Sequence, residues 1–107
     1  MSFRDLTVYK KAFELAMEIF HITKKFPKEE LYSLTNQIRK LSRSVCSSIA
    51  EAYRKRIYQA YFISKASDAD MENSETQVWL DFALSCKYIS RDVYKEYIER
   101  SEEIGRM

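Results

Sequence analysis

Apolar side chains recur in steps of three and four along most of this chain, the spacing that gathers them on one face of an α-helix. The first run predicts a helix from about Leu6 to Lys25, with Asp5 as its N-cap. It carries two apolar stripes. Leu6, Tyr9, Phe13, Ala16 and Phe20 form one, and Val8, Ala12, Leu15, Ile19 and Ile22 form the other. The stripes lie roughly 120° apart, which leaves Lys10, Lys11, Glu14, Glu18, His21 and Lys25 for water. One stripe is enough for a helix on the side of a small bundle. A second implies a central position or burial against another subunit.

Phe26-Pro27 interrupts the pattern, because the residue before a proline disfavours helix while proline suits a first turn. A second helix is expected to begin near Pro27 or near Leu34 and to run to about Lys55. Its core stripe reads Leu34, Ile38, Leu41, Val45, Ile49, Ala52, and its opposite face carries Asn36, Arg39, Lys40, Arg43, Ser47 and Arg54. A third helix is predicted from about Tyr58 to Tyr88. One of its seams reads Phe62, Ala66, Ala69, Asn73, Thr76, Leu80, Ala83. The neighbouring seam is apolar at its ends (Tyr58, Tyr61; Trp79, Phe82, Cys86, Ile89) and charged in the middle (Lys65, Asp68, Glu72, Glu75), so those charges need partners. Ser90 is a good N-cap for a fourth helix with Val93, Tyr94, Tyr97, Ile98 and Ile104 on its apolar side, fraying at Gly105-Arg106-Met107. No repeat, linker or low-complexity segment divides the chain, so residues 1–107 are read as one four-helix domain.

Composition agrees with an all-α fold. A 107-residue chain that is 46% hydrophobic is not disordered, and one Gly and one Pro are too few for a protein built on β-turns. The net charge of +2 does not by itself imply a nucleic-acid partner. Its distribution says more. Residues 36–56 hold Arg39, Lys40, Arg43, Arg54, Lys55 and Arg56 against the single acid Glu51, while residues 68–81 hold Asp68, Asp70, Glu72, Glu75 and Asp81 and no base. Cys46 and Cys86 form no C-x-x-C pair. Two cysteines and no apolar run long enough for a signal or a membrane span point to reduced thiols in the cytoplasm.

The basic face of the second helix is the first candidate for function. Lys40, Arg54, Lys55 and Arg56 are assigned to phosphate contacts with RNA or DNA. Arg39 and Arg43 face a competing use: ion pairs with Glu72 and Glu75, within one chain or across subunits, which would account for the charged middle of the third helix. Tyr58, Tyr61 and Trp79 are assigned to a subunit interface, since aromatics at helical spacing are usually core or interface rather than base-stacking groups. Glu18-Ile19-Phe20-His21 matches the Glu-x-x-His spacing of di-iron bundles only once, so no metal is expected. His21 is the only imidazole available to Cys46, Cys86 or any serine, both cysteines fall beside apolar positions, and no Gly-rich phosphate loop is present. No catalytic residue and no cofactor are assigned.

Two stretches carry a family resemblance: Ser44-Val45-Cys46-Ser47-Ser48-Ile49-Ala50-Glu51, preceded by Leu34-Thr35-Asn36-Gln37-Ile38-Arg39, and Glu72-Asn73-Ser74-Glu75-Thr76-Gln77-Val78-Trp79-Leu80. The start Phe3-Arg4-Asp5-Leu6-Thr7-Val8-Tyr9 and the Phe26-Pro27 joint fit as well. Together they resemble the bacterial four-helix bundle family named for reading frames in intervening sequences of 23S ribosomal RNA genes. Cys46, Ser48 and Ala52 stand where that family often has Pro, Asn and Gly. The resemblance implies an up-down-up-down bundle that closes into a homopentamer. In one branch, which serves diversity-generating retroelements, a strongly basic pentamer binds nucleic acid and a reverse transcriptase. The expected function is therefore a non-enzymatic oligomer acting as an accessory or adaptor to nucleic acid. A scaffold that binds only proteins is the alternative.

Overall fold

The computed structural model describes residues 1–107 and contains four helices: α1 (Thr7–Thr23), α2 (Leu34–Arg54), α3 (Gln59–Ser85) and α4 (Arg91–Arg106). Short 3-10 turns at Phe3–Asp5 and Lys28–Glu30 precede α1 and α2. Each helix packs on its chain neighbours, and α1 meets α4 to close the bundle. Side-chain bonds show the directions. Arg39 of α2 reaches Thr23 of α1, Ser48 of α2 reaches Glu72 of α3, Asn73 of α3 reaches Ser101 of α4, and Lys11 of α1 reaches Glu103 of α4. Every adjacent pair is antiparallel, so the architecture is the up-down-up-down four-helix bundle expected from the periodicity.

One contiguous core holds the helices together. Ile19, Ile38 and Leu80 are its largest fully buried apolar side chains, with Leu15, Val45, Tyr97 and Ile104 around them. Burying such a side chain contributes roughly 1.5–3 kcal/mol relative to leaving it in water. Of the two stripes on α1, Ala12, Leu15 and Ile19 enter this core. The other stripe is divided: Ala16 is buried in the same core, Leu6, Tyr9 and Phe20 are half-buried, and Phe13 is 49% exposed beside the exposed Met17. A polar group also lies inside. Asn73 Nδ2 donates to the Ser101 carbonyl (2.8 Å), Ser101 Oγ donates to Asn73 Oδ1 (2.8 Å), and Gln77 Nε2 donates to Ser101 Oγ (2.9 Å). These mutual bonds satisfy buried groups that would otherwise be costly, and they fix the register of α3 on α4.

The helix ends differ from expectation in informative ways. Asp5 does not cap α1. It closes a capping box one turn earlier, accepting from Ser2 N (2.9 Å) while Ser2 Oγ accepts from Arg4 N (3.2 Å), and α1 begins at Thr7 without a side-chain cap. Of the two possible starts for the second helix, Leu34 is the one adopted, because Pro27 opens only a 3-10 turn. α3 stops at Ser85 in a Schellman arrangement. Tyr88 N donates to Ala83 O and Lys87 N to Leu84 O, both at 2.9 Å, with Lys87 in the left-handed conformation at φ 64° where glycine is usual. Ser90 caps α4 as expected, its Oγ accepting from Val93 N (3.1 Å), and α4 continues through Gly105 to Arg106 rather than fraying earlier.

At one end the α2–α3 hairpin leaves Ile57, Tyr58, Tyr61, Phe62 and Ile63 exposed. An apolar cavity of about 430 Å³ opens there between Val45, Ile49, Phe62, Ala66 and Ile104. No helix is long and apolar enough to cross a membrane.

Candidate nucleic-acid interface

The seam between α1 and α2 concentrates positive charge. Phe20 of α1 is half-buried, and three cations surround its ring: Lys24 Nζ at 4.8 Å from the centroid, Arg39 Cζ at 4.9 Å and Arg43 Cζ at 5.3 Å. No two of these charges can then be separated by more than about 10 Å, a Debye length at 0.1 M salt, so they act on one another. None of the three takes part in a salt bridge. The ring itself supplies part of the compensation through its negative face.

Arg39 is held in place. Its Nε donates to Thr23 Oγ1 (2.8 Å) and its Nη2 to the Phe20 carbonyl (3.5 Å), while Thr23 Oγ1 donates in turn to the Ile19 carbonyl (2.7 Å). Arg43 and Lys40, the latter on the outer side of α2, are exposed. Together Arg39, Lys40 and Arg43 line an open groove of about 540 Å³ with Asn36, Ser44 and Ser47. Leu31 and Tyr32, from the turn before α2, close one end of it. No acidic residue lines this groove. It offers guanidinium, ammonium, amide and hydroxyl groups in a row, the set that grips phosphate oxygens.

The residues expected to bind nucleic acid are therefore not all in one place. Lys40 belongs to the groove. Arg54 lies on the same face of α2 as Arg43, about 16 Å further along the axis. Lys55 and Arg56 turn away from it. Lys55 Nζ sits over the rings of Tyr58 and Tyr61 (5.8 and 5.5 Å), and Arg56 stacks on Tyr53 at 4.0 Å while donating to the Tyr53 carbonyl (2.8 Å).

The ion pairs expected between Arg39 or Arg43 and Glu72 or Glu75 do not form within the chain. The reason is helical geometry. Ser48, the α2 residue that meets Glu72 (Oγ to Oε1, 2.7 Å), is nine positions from Arg39 and so about 180° around the helix. The body of α2 stands between the two charge sets. Glu75 is exposed, and the charged middle of α3 finds other partners: Lys65 bridges Glu51 (3.0 Å) and Asp68 (3.7 Å). The hydrogen bond from Lys65 to Glu51, with the attraction of that carboxylate, raises the lysine pKa.

Other candidates fall as follows. Tyr58 and Tyr61 are exposed on the hairpin, whereas Trp79 is half-buried against the core and its ring lies 5.6 Å from that of Phe82. Cys46 is buried, and burial pushes its thiol up to about 11. Cys86, expected to be packed, is exposed just beyond α3, because the helix has already ended there. Glu18, which supplied the Glu-x-x-His spacing with His21, is engaged by Arg100, and His21 is exposed.

Sequence reasoning overlooked Tyr32. It sits in a turn, outside any periodic run, and is 89% exposed at the groove's end. The turn around it is anchored. Glu30 accepts from Ser33 Oγ (2.6 Å) and from Tyr88 Oη (2.8 Å), and Phe26 packs on the Tyr88 ring at 5.3 Å. These two bonds hold the Glu30 carboxyl below its usual range, and the Glu30 carboxylate pushes the Tyr88 hydroxyl up to about 12.

Comparison with known proteins sets these features in a family. The chain is similar to a crystal structure of a protein of unknown function from the S23 ribosomal protein family of Bacteroides thetaiotaomicron VPI-5482. The two share 30% identity and a TM-score of 0.83, over 92% of this chain and 88% of that one. No curated protein matches the chain. The family model described as 23S rRNA-intervening sequence protein matches residues 4–107. With its four antiparallel helices and that match over nearly its whole length, the chain belongs to the 23S rRNA-intervening sequence protein family.

Proposed function

We propose that this protein is a non-enzymatic, self-associating bundle that binds the phosphate backbone of nucleic acid along α2. One observation carries the reading: Arg39, Lys40 and Arg43 line a single groove that contains no carboxylate. Like charges gathered without a counterion repel one another, and a phosphate chain relieves that repulsion while accepting hydrogen bonds from Asn36, Ser44 and Ser47. Arg54 extends the same face toward the hairpin. Contacts of this kind bind without reading base sequence.

Self-association rests on apolar surface that a monomer leaves in water. Phe13 and Met17 on α1, Met71, Val78 and Phe82 on α3, and Tyr58 and Tyr61 on the hairpin are all exposed. The ring of five implied by the family resemblance would repeat the groove and multiply a modest affinity. The same apolar surfaces favour the second reading, a scaffold that binds only proteins.

Gel shift of labelled RNA and DNA at low salt separates the two. The expected result is a shift with wild-type protein that disappears in the double variant Lys40→Glu, Arg43→Glu, while sedimentation of the two proteins is the same. No shift with any RNA or DNA would leave the protein-only scaffold.

A further inference from the structure

We propose that Tyr32 is a base-stacking platform at the end of the α2 groove, so that the site takes single-stranded rather than duplex nucleic acid. The proposal rests on the reading of the groove as a phosphate site and adds the kind of strand that fits it.

Three observations point the same way. The first is exposure: an aromatic side chain 89% in water contributes nothing to the core and presents its ring to the solvent. The second is position. Tyr32 lines the same groove as Arg39, Lys40 and Arg43. Cations that track a backbone beside an aromatic face are the pairing by which single strands are held. Each base has a π-face to stack, whereas the bases of a duplex are already stacked on each other.

The third is rigidity. An exposed tyrosine on a mobile loop would lose much of its stacking energy to ordering the loop. Here the backbone on both sides is tied down. Leu31 N donates to Lys28 O (3.1 Å), Ser33 N donates to Glu30 O (3.0 Å), and the Glu30 carboxylate is clasped by Ser33 and Tyr88. Glu30 and Tyr88 act as positioning residues for the Tyr32 ring. At the other charged end of α2, by contrast, a cation of the chain already sits over one face of each tyrosine: Arg56 over Tyr53, and Lys55 over Tyr58 and Tyr61.

The test uses fluorescence anisotropy with labelled oligo(U), oligo(dT) and a duplex of mixed sequence, each about 15 nucleotides long, the upper range of one single-strand site. Wild-type protein is expected to bind either single strand more tightly than the duplex at equal salt. Equal binding of oligo(U) and oligo(dT) assigns the site to stacking and phosphate alone, and a preference for oligo(U) assigns it to RNA. Tyr32→Ala should weaken single-strand binding roughly 10-fold and leave duplex binding unchanged. Tyr32→Phe should bind as wild type, since it keeps the ring. Because the side chain lies outside the core, the circular dichroism of both variants should match wild type.

Wild-type affinity of Tyr32→Ala for single strands would overturn the stacking role. If Lys40→Glu, Arg43→Glu still abolished binding in that case, the phosphate groove would stand without it. Failure of the wild-type protein to bind any of the three would overturn both proposals. Displacement of oligo(U) by poly-glutamate at equal charge concentration with the same dependence on Tyr32 would overturn the stacking role alone, because poly-glutamate has no base to stack.

Discussion

Along the seam of α1 with α4, Lys11 Nζ meets Glu103 Oε1 at 2.7 Å, and Arg100 meets Glu18 and Glu96. Along the seam of α1 with α2, Lys24, Arg39 and Arg43 gather on Phe20 and no carboxylate joins them. The same helix contributes to both seams, and both lie at the surface. The contrast separates cations paired with carboxylates of the chain from cations that make no salt bridge in it. On the first seam the bonding capacity is already used, and Lys11 holds the Glu103 carboxyl below its usual range. On the second, only Arg39 is tied, and it is tied to neutral oxygens that leave its charge unspent.

Charge reversal breaks this comparison most sharply. Lys40→Glu with Arg43→Glu is expected to lower affinity for RNA or DNA at least about 100-fold, since four units of charge change inside one Debye length. Its urea midpoint should stay near wild type. Lys11→Glu with Arg100→Glu should do the opposite. It sets like charges against Glu103, Glu18 and Glu96, so the urea midpoint falls while affinity changes far less. Anisotropy and urea titration on the two double variants check both halves.

Two asparagines sharpen the contrast between used and unused polar groups. Asn73 is 5% exposed and exchanges two hydrogen bonds with Ser101. Asn73→Ala orphans the Ser101 groups and opens a small void, which should destabilise the bundle by about 2–3 kcal/mol in urea unfolding. Asn36 lines the groove and is exposed, so Asn36→Ala should change stability by less than about 0.5 kcal/mol.

Titration offers a third contrast. The carboxyls of Glu30 and Glu103 are held below their ordinary value of 4.5, Glu30 by its bonds to Ser33 and Tyr88 and Glu103 by its bond to Lys11. A depressed carboxyl stabilises the fold at pH above its unfolded value, and that contribution is lost as pH falls through its folded value. Stability should therefore decline as pH drops below about 4.5, and Glu30→Gln should flatten part of the decline. The groove holds no carboxylate. Thermal melts from pH 7 to 3 test the point.

A small gain in stability is expected at Lys87. Its left-handed backbone, at φ 64°, carries a cost that glycine avoids. Lys87→Gly should stabilise the bundle by about 0.5–1 kcal/mol and leave nucleic-acid affinity unchanged, although it too removes a cation.

The four helices could be read from the chain because each has a buried stripe. Leu34, Ile38, Val45 and Ala52 fall at helical spacing, and all are buried in the bundle. What the pattern missed depends on neighbours in space or on segments without a period. Asp5 looks like a cap for α1 until Ser2 is seen to form a box with it. Arg39 and Arg43 suggested partners for Glu72 and Glu75 by charge alone, and only the helical wheel of α2 shows that they point away. The charged middle of α3 resembled a core face with a flaw. It is a half-exposed flank whose charges meet Ser48 and Glu51. Tyr32 lies in a turn, where no period assigns a face, and its importance depends on the distant Tyr88 that steadies the turn.

The central claim is that the unpaired cations of α2 bind phosphate, and the salt dependence of binding tests it most directly. Each phosphate neutralised on a single strand contributes about −0.7 to the slope of log affinity against log salt. Engagement of Arg39, Lys40 and Arg43 by one subunit therefore predicts a slope of about −2 for oligo(U), steeper if several subunits bind one strand. Removing Lys40 and Arg43 as alanines should flatten the slope by about 1.4 per subunit engaged. A slope that is the same for wild type and the Lys40→Ala, Arg43→Ala variant would contradict the account.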